Sequence, residues 1–280
     1  MIRIGPSGNS EAFYASGRKH TYEEGAFLHE LGLNAFEYSF GRGVSLSDET
    51  AAKIKSEFQK YGIAISVHAP YYTNFANPDP EMIQKSIGYV LQSVEACAKL
   101  GGERTVVHPA ACGKVSRDIA VAEAKRNLAL LAEKCDNIEH CFKICLETMG
   151  KLNQIGTVEE VVDFCLIYDK FYPCFDFGHI NAYSRGGLKT KEDYRRIIDY
   201  TIEKLGFEKA SAMHVHFSKI QYGDKGEIRH LTFADDKYGP EYAPLAEIFD
   251  EYKMSPYIVC ESSGTMSDDA LAMKNMHENA

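Results

Sequence analysis

Eight short, almost wholly apolar runs recur along the chain, each followed by an amphipathic stretch of helical period. This alternation limits the fold more than any other feature. The runs are Ile2–Ile4, Ala35–Tyr38, Ala64–Val67, Thr105–Val107, Phe142–Leu146, Cys174–Asp176, Ala212–His216 and Tyr257–Cys260. They are apolar on both faces, as strands buried in a parallel sheet are. Between them, Ser47 before Asp48, Glu49 and Thr50 reads as an N-cap with an acidic first turn. Thr157-Val158-Glu159-Glu160 has the form of a capping box, and Ile87, Val90, Leu91, Val94 and Ala98 follow the 3.6-residue period. Gly32, Gly62 and Gly101 fall where helices should end. Strands and helices alternating in this way through 280 residues, with no linker, predict an α/β fold: one (β/α)8 TIM-barrel domain over 1–280. An open doubly wound sheet would carry a glycine fingerprint after its first strand, and Gly5-Pro6-Ser7-Gly8 does not fit one. A long irregular connection is expected from Lys219 to Pro240, and connections of that length usually serve function.

Composition narrows the function. With 45% hydrophobic and 25% charged residues, the chain has the makings of a core and is not disordered. Its 31 basic residues against 40 acidic exclude a protein that grips nucleic acid by net charge alone. No apolar run approaches the ~18 to 20 residues that span a bilayer, and no signal peptide is visible before the first strand. The eight cysteines, at positions 97, 112, 135, 141, 145, 165, 174 and 260, include no CxxC pair. They read as buried reduced thiols, which points to the cytoplasm.

Barrel enzymes build their sites at the carboxyl ends of the strands. There the chain places His68, His108, Glu147, Asp176 with His179, His214 with His216, and Glu261. A single histidine or carboxylate in such a place is ordinarily structural, and His20, His29, His140 and His277 are read that way. Six successive strands delivering such residues to one level is another matter. Burying so many ionisable groups is costly without a counter-charge, and metal ions supply one. Histidine and carboxylate donors without cysteine suit a catalytic zinc centre better than a structural one.

These motifs, in this order, resemble the endonuclease IV family of apurinic/apyrimidinic endonucleases, within the xylose-isomerase-like barrels. The resemblance covers nearly the whole chain. It lies in Ser66-Val67-His68-Ala69-Pro70-Tyr71 with Asn74, Val107-His108-Pro109, Leu146-Glu147-Thr148, Asp176-Phe177-Gly178-His179, Met213-His214 and Glu261. It implies a centre of two or three zinc ions, with manganese as the alternative. His68 and His108 would bind a first metal, with Glu147 bridging to a second completed by Asp176, His214 and Glu261. His179 and His230 would hold a third. The implied reaction is hydrolysis of the phosphodiester 5′ to an abasic site in DNA, as in base excision repair. Glu147 and Glu261 would be catalytic, and Tyr71, Asn74 and Arg42 would contact substrate. A monomer acting on DNA, with no membrane partner, is expected.

The chain departs from the family in four places, the first being Ala110 where the family has a glycine after Val107-His108-Pro109. The family's D-x-H reads Ile228-Arg229-His230, its asparagine two residues after His214 is His216, and its eighth-strand motif reads Glu261-Ser262-Ser263. Glu227 stands one position too early for a direct replacement, so the third metal is left to His216, Glu227 or water. A sugar isomerase or epimerase is the alternative on the same barrel. Glu147, Asp176, His214 and Glu261 match its single-metal site, where two glutamates exchange a proton beside a carbonyl. That reading leaves His68 and His108 idle.

Overall fold

All eight expected runs form strands in the computed structural model, which describes residues 1–41 and 43–278. They are β1 (Arg3–Pro6), β2 (Ala35–Ser39), β3 (Ala64–His68), β4 (Arg104–Val107), β5 (Lys143–Glu147), β6 (Phe171–Asp176), β7 (His214–Phe217) and β8 (Tyr257–Cys260). All the ladders are parallel, and neighbours follow chain order from β2 round to β8 and then β1. Between β1 and β2 there is no regular ladder among the described residues. That seam is held by an isolated Ser7–Glu37 bridge, by Asn34 N donating to Ile4 O at 3.1 Å, and by Gly8 N donating to Glu37 O at 2.9 Å. Gly5 makes the seam narrow enough. A Cβ there would lie 1.7 Å from Ala35 O, so only glycine lets β1 approach β2.

The expected helix signals are used as read. Ser47 Oγ accepts from Thr50 N, and Thr157 and Glu160 form the capping box. Gly32, Gly62 and Gly101 all take positive φ. Outward residues of the strands, among them Ile65, Leu146, Phe175, Val215 and Ile258, join the helices in one large core. The period-two alternation sends the other set into the barrel. Its interior holds the apolar Ala35, Tyr257, Val259, Val106, Cys145 and Cys174 with the polar Glu37, Ser66, His214 and His216 among and above them.

Several strand ends differ from expectation, most of all β6, which begins at Phe171 rather than Cys174. β7 starts at His214 rather than Ala212, because residues 207–211 close a short helix that turns directly into it. The 219–240 connection is ordered at its start by an antiparallel hairpin, Ile220–Gly223 with Gly226–His230. No helix among the described residues is long and apolar enough to cross a membrane.

One buried acid lies away from the barrel mouth. Glu24 opens the helix Glu24–Glu30, is fully buried, and neither carboxylate oxygen has a hydrogen-bond partner among the described residues. Burial pushes its pKa up to about 8, against a weaker opposing pull from Arg18. The folded state therefore holds this proton more tightly than the unfolded chain, and stability falls as pH rises from the unfolded value towards 8. Glu24→Gln should match the wild type at pH 4 and exceed it by a few kcal/mol, of order 4, at pH 8. Denaturant titrations at the two pH values read this difference. For the seam, Gly5→Ala should cost at least about 3 kcal/mol or prevent folding, visible in the same titrations.

Candidate metal centre

Strand register decides which polar side chains meet. Asp176 pairs with His216 across β6 and β7, and one layer lower Cys174 pairs with His214. Two residues along a strand are roughly 6.6 Å apart, so these are separate levels. His216, not His214, stands at the level of Glu147, Asp176 and Glu261, and donor atoms of these four lie within 4.8 Å of one another. The resemblance assigned His214 to that set; the pairing of Asp176 with His216 brings His216 there and leaves His214 beside Cys174. His214 is sealed at 0% exposure, with its ring stacked on Tyr257 and its Nε2 3.1 Å from Glu37 Oε2. Burial outweighs Glu37 and brings its pKa down to about 4.

Glu147 is the hub. His68 Nε2 and His108 Nε2 stand 3.1 and 3.0 Å from its Oε2; His216 Nδ1 and His179 Nδ1 stand 3.2 and 3.4 Å from its Oε1. The outer nitrogens show which way two of these rings face. His68 Nδ1 lies 2.7 Å from Ala69 O and His108 Nδ1 lies 3.1 Å from Tyr71 O. A carbonyl only accepts, so both Nδ1 atoms carry protons. The inward Nε2 atoms of neutral rings are then bare lone pairs facing a carboxylate. Such an arrangement is repulsive unless a proton or a cation lies between. Histidine ligands of metals characteristically donate their far N–H in this manner.

The electrostatics suit a bound cation. Burial would lower His68, but the Glu147 carboxylate overrides it and pushes the pKa up to about 9. His179 is likewise raised to about 10, with Asp176 and Glu147 overcoming its burial. Glu147 is held well below the usual range although burial opposes this, chiefly by His108 and His216. Burial raises Asp176, whose Oδ2 has no hydrogen bond among the described residues. The donor set thus fits divalent metal: oxygen and nitrogen atoms converge, and the histidines must otherwise carry the positive charge themselves.

A third grouping joins Asp176, His179 and His230. Glu227 belongs beside it, with Oε2 3.4 Å from His179 Nε2. Its spacing from His230 is one residue off in the sequence, and a β-bulge accounts for the difference. The hairpin register passes from Gln221–Arg229 to Tyr222–Glu227, so Ile228 is the extra residue and points to solvent at 55% exposure. Glu227 and His230 are thereby returned to one face. Gly150 leaves room for them, since a Cβ there would lie 2.8 Å from Glu227 Cβ and 2.9 Å from His179 Cδ2. His216 takes no part in this grouping.

A cavity of about 510 Å³ opens over the cluster, lined by His68, His108, Glu147, His179, Glu227, His230, Glu261, Tyr71 and Lys151 among others. Tyr71 is exposed at its mouth and packs edge-on to Tyr72. Asn74 does not line it. Its Oδ1 accepts from Ala76 N and Ala111 N, tying the loop after β3 to the loop after β4. Arg42 lies outside the described residues. Sequence reasoning missed Glu37, which is fully buried, accepts from Ser66 Oγ at 2.8 Å and stands 3.0 Å from His216 Nε2. Its signal was an acid in mid-strand at an inward position of β2.

Comparison with known proteins agrees with this architecture. An uncharacterized protein of Methanocaldococcus jannaschii is 30% identical over 253 residues, 90% of either chain. A protein of Staphylococcus aureus (strain Newman) named probable endonuclease 4 is 28% identical over 256 residues, 87% of this chain and 84% of the relative. Among solved structures, endonuclease IV from Thermus thermophilus superposes with a TM-score of 0.71 at 20% identity, covering 93% of this chain and 95% of the other. A D-tagatose 3-epimerase-like protein superposes at 0.65 and 19% identity, covering 88% of each. At such identities the structural likenesses show the fold alone. The family described as xylose isomerase-like TIM barrel matches residues 26–276, and with eight parallel strands carrying their polar residues to one end, the chain belongs to that family.

Proposed function

We propose that this chain is a metal-dependent phosphodiesterase that cuts DNA 5′ to abasic sites, in base excision repair. The observation that carries the reading is the pair His68 and His108, both aimed at one oxygen of Glu147. A single-metal centre has no use for them. The Staphylococcus relative named probable endonuclease 4 supports the same direction.

His68, His108 and Glu147 would hold one ion, and Glu147, Asp176, His216 and Glu261 a second. His179, His230 and Glu227, with Asp176, would hold a third. The oxygen and nitrogen donors fit zinc, with manganese as the alternative. When bound, such a centre lowers the pKa of a water towards neutrality and offsets charge building on phosphate oxygens. Glu147 faces His68 and His108 with Oε2 and His216 with Oε1, so it could serve both ions. Glu261 stays ionised, because His216 and His230 outweigh the effect of burial, and it stands at the cavity edge able to take a proton. Tyr71 offers an exposed aromatic face to a sugar or base, and Lys151 a cation to phosphate. Cations at this centre would reverse the local sign of a chain whose net charge is −9.

The second reading is a sugar epimerase. Glu147, Asp176, His216 and Glu261 form a four-donor set without help from His68 or His108. Two experiments separate the readings. On an abasic-site duplex the metal-loaded protein should leave a 3′-hydroxyl nick, and Glu261→Gln should slow it at least about 100-fold. An intact duplex after prolonged incubation with metal-loaded protein would sink the nuclease reading. Metal analysis should find that His68→Ala and His108→Ala each lose one ion together with nicking, and that Glu227→Gln loses a different ion. If His68→Ala keeps every ion and the wild type exchanges a ketose carbon-bound proton with solvent, the epimerase stands instead.

A further inference from the structure

One layer beneath that centre, the barrel interior holds a second set of donors that the proposed reaction does not use. Donor atoms of Cys174, His214 and His216 lie within 4.8 Å of one another, and all three residues are fully buried. The Glu37 carboxylate borders them, at 3.1 Å from His214 Nε2 and 3.0 Å from His216 Nε2. These contacts are short, yet among the described residues Glu37 Oε1, both ring nitrogens of His214 and His216 Nε2 make no hydrogen bond. The groups stand close without pointing N–H at oxygen. Ligands around a common centre do this, because the edge of a tetrahedron with bonds of ~2.0 Å is about 3.3 Å. With nothing between them, four unpaired polar atoms in a dry interior would cost several kcal/mol, and native proteins rarely tolerate even one.

We propose that Cys174, His214, Glu37 and the Nε2 edge of His216 form a closed site for one borderline-soft divalent ion of the zinc class. It is distinct from the upper centre and needs no part of the DNA reading. His216 stands between the two sites, with Nδ1 facing Glu147 and Glu261 and Nε2 facing Glu37. Binding releases the Cys174 thiol proton and the Nε2 proton of His216 to solvent; when the upper centre also holds His216 through Nδ1, that proton leaves too and the ring is shared as an imidazolate, so the lower ion is held by thiolate, carboxylate, the His214 imidazole and the His216 ring. Four protein donors leave no open position, so the site would be structural, locking β2, β6 and β7 together beneath the catalytic level.

The thiolate makes this testable, since the upper donors are all oxygen and nitrogen. Metal-free full-length protein is loaded with cobalt(II). On full loading, a thiolate-to-cobalt charge-transfer band should appear with the intensity of one thiolate-bound cobalt per chain. It should survive in His68→Ala and vanish in Cys174→Ser, which should bind one ion fewer. Because Cys174→Ser could fail to fold, X-ray absorption on zinc-loaded wild type provides the second measurement, with one sulfur scatterer at ~2.3 Å expected. A fully loaded, folded wild type with no thiolate band and only nitrogen and oxygen around its zinc overturns the proposal. So does a folded Cys174→Ser that keeps every ion.

Discussion

The structure turns on one carboxylate. Glu147 sits at the end of β5 with 1% exposure, and four imidazoles from β3, the residue after β4, β7 and the helix after β6 close on its two oxygens. A buried carboxylate is costly alone, and buried histidines are costly when charged. Each cancels the other's penalty only if all arrive at one point, which ties strand register, ring orientation and loop position to a single requirement. The backbone carbonyls of Ala69 and Tyr71 then fix two rings from behind, so the geometry is set by main chain rather than by side-chain choice.

Much of this was legible in the sequence, for a physical reason. Buried parallel strands must be apolar on both faces, so a polar residue at a strand end stands out, and His68, His108, Glu147, Asp176 and Glu261 were visible as such. What was not legible depended on register. Choosing between His214 and His216 requires knowing how β7 pairs with β6, since both lie on one face at period two. Motif alignment selected the first, and pairing with Asp176 selects the second. Glu227 was only one of three candidates for the third site, because spacing in sequence equals spacing in space only along an unbroken ladder and a bulge breaks this one. Asn74 fitted a motif, but its side chain is spent on backbone amides.

Glu37 was overlooked for another reason. Phe36 and Tyr38 flank it, so it read as one acid in a strand rather than part of a polar layer. Inward positions are recognisable only against their neighbours in the closed barrel, where it meets Ser66, His214 and His216. Cys174 belongs to the same lesson. Taken singly it is another buried thiol; beside two imidazoles it is a donor.

The seam between β1 and β2 bears on how the interior communicates with solvent. Among the described residues, seven of the eight strand junctions are stitched by continuous ladders, and only at this one do isolated contacts around Ser7, Gly8 and Asn34 carry the closure. Glu37 stands on that edge. Anything small that enters or leaves the lower layer after folding must wait for hydrogen bonds to break somewhere, and at this seam no continuous ladder has to part. The wall beside Glu37 is thus the part of the barrel that no continuous ladder closes, and it lies between the first two strands, apart from the cavity above Glu147.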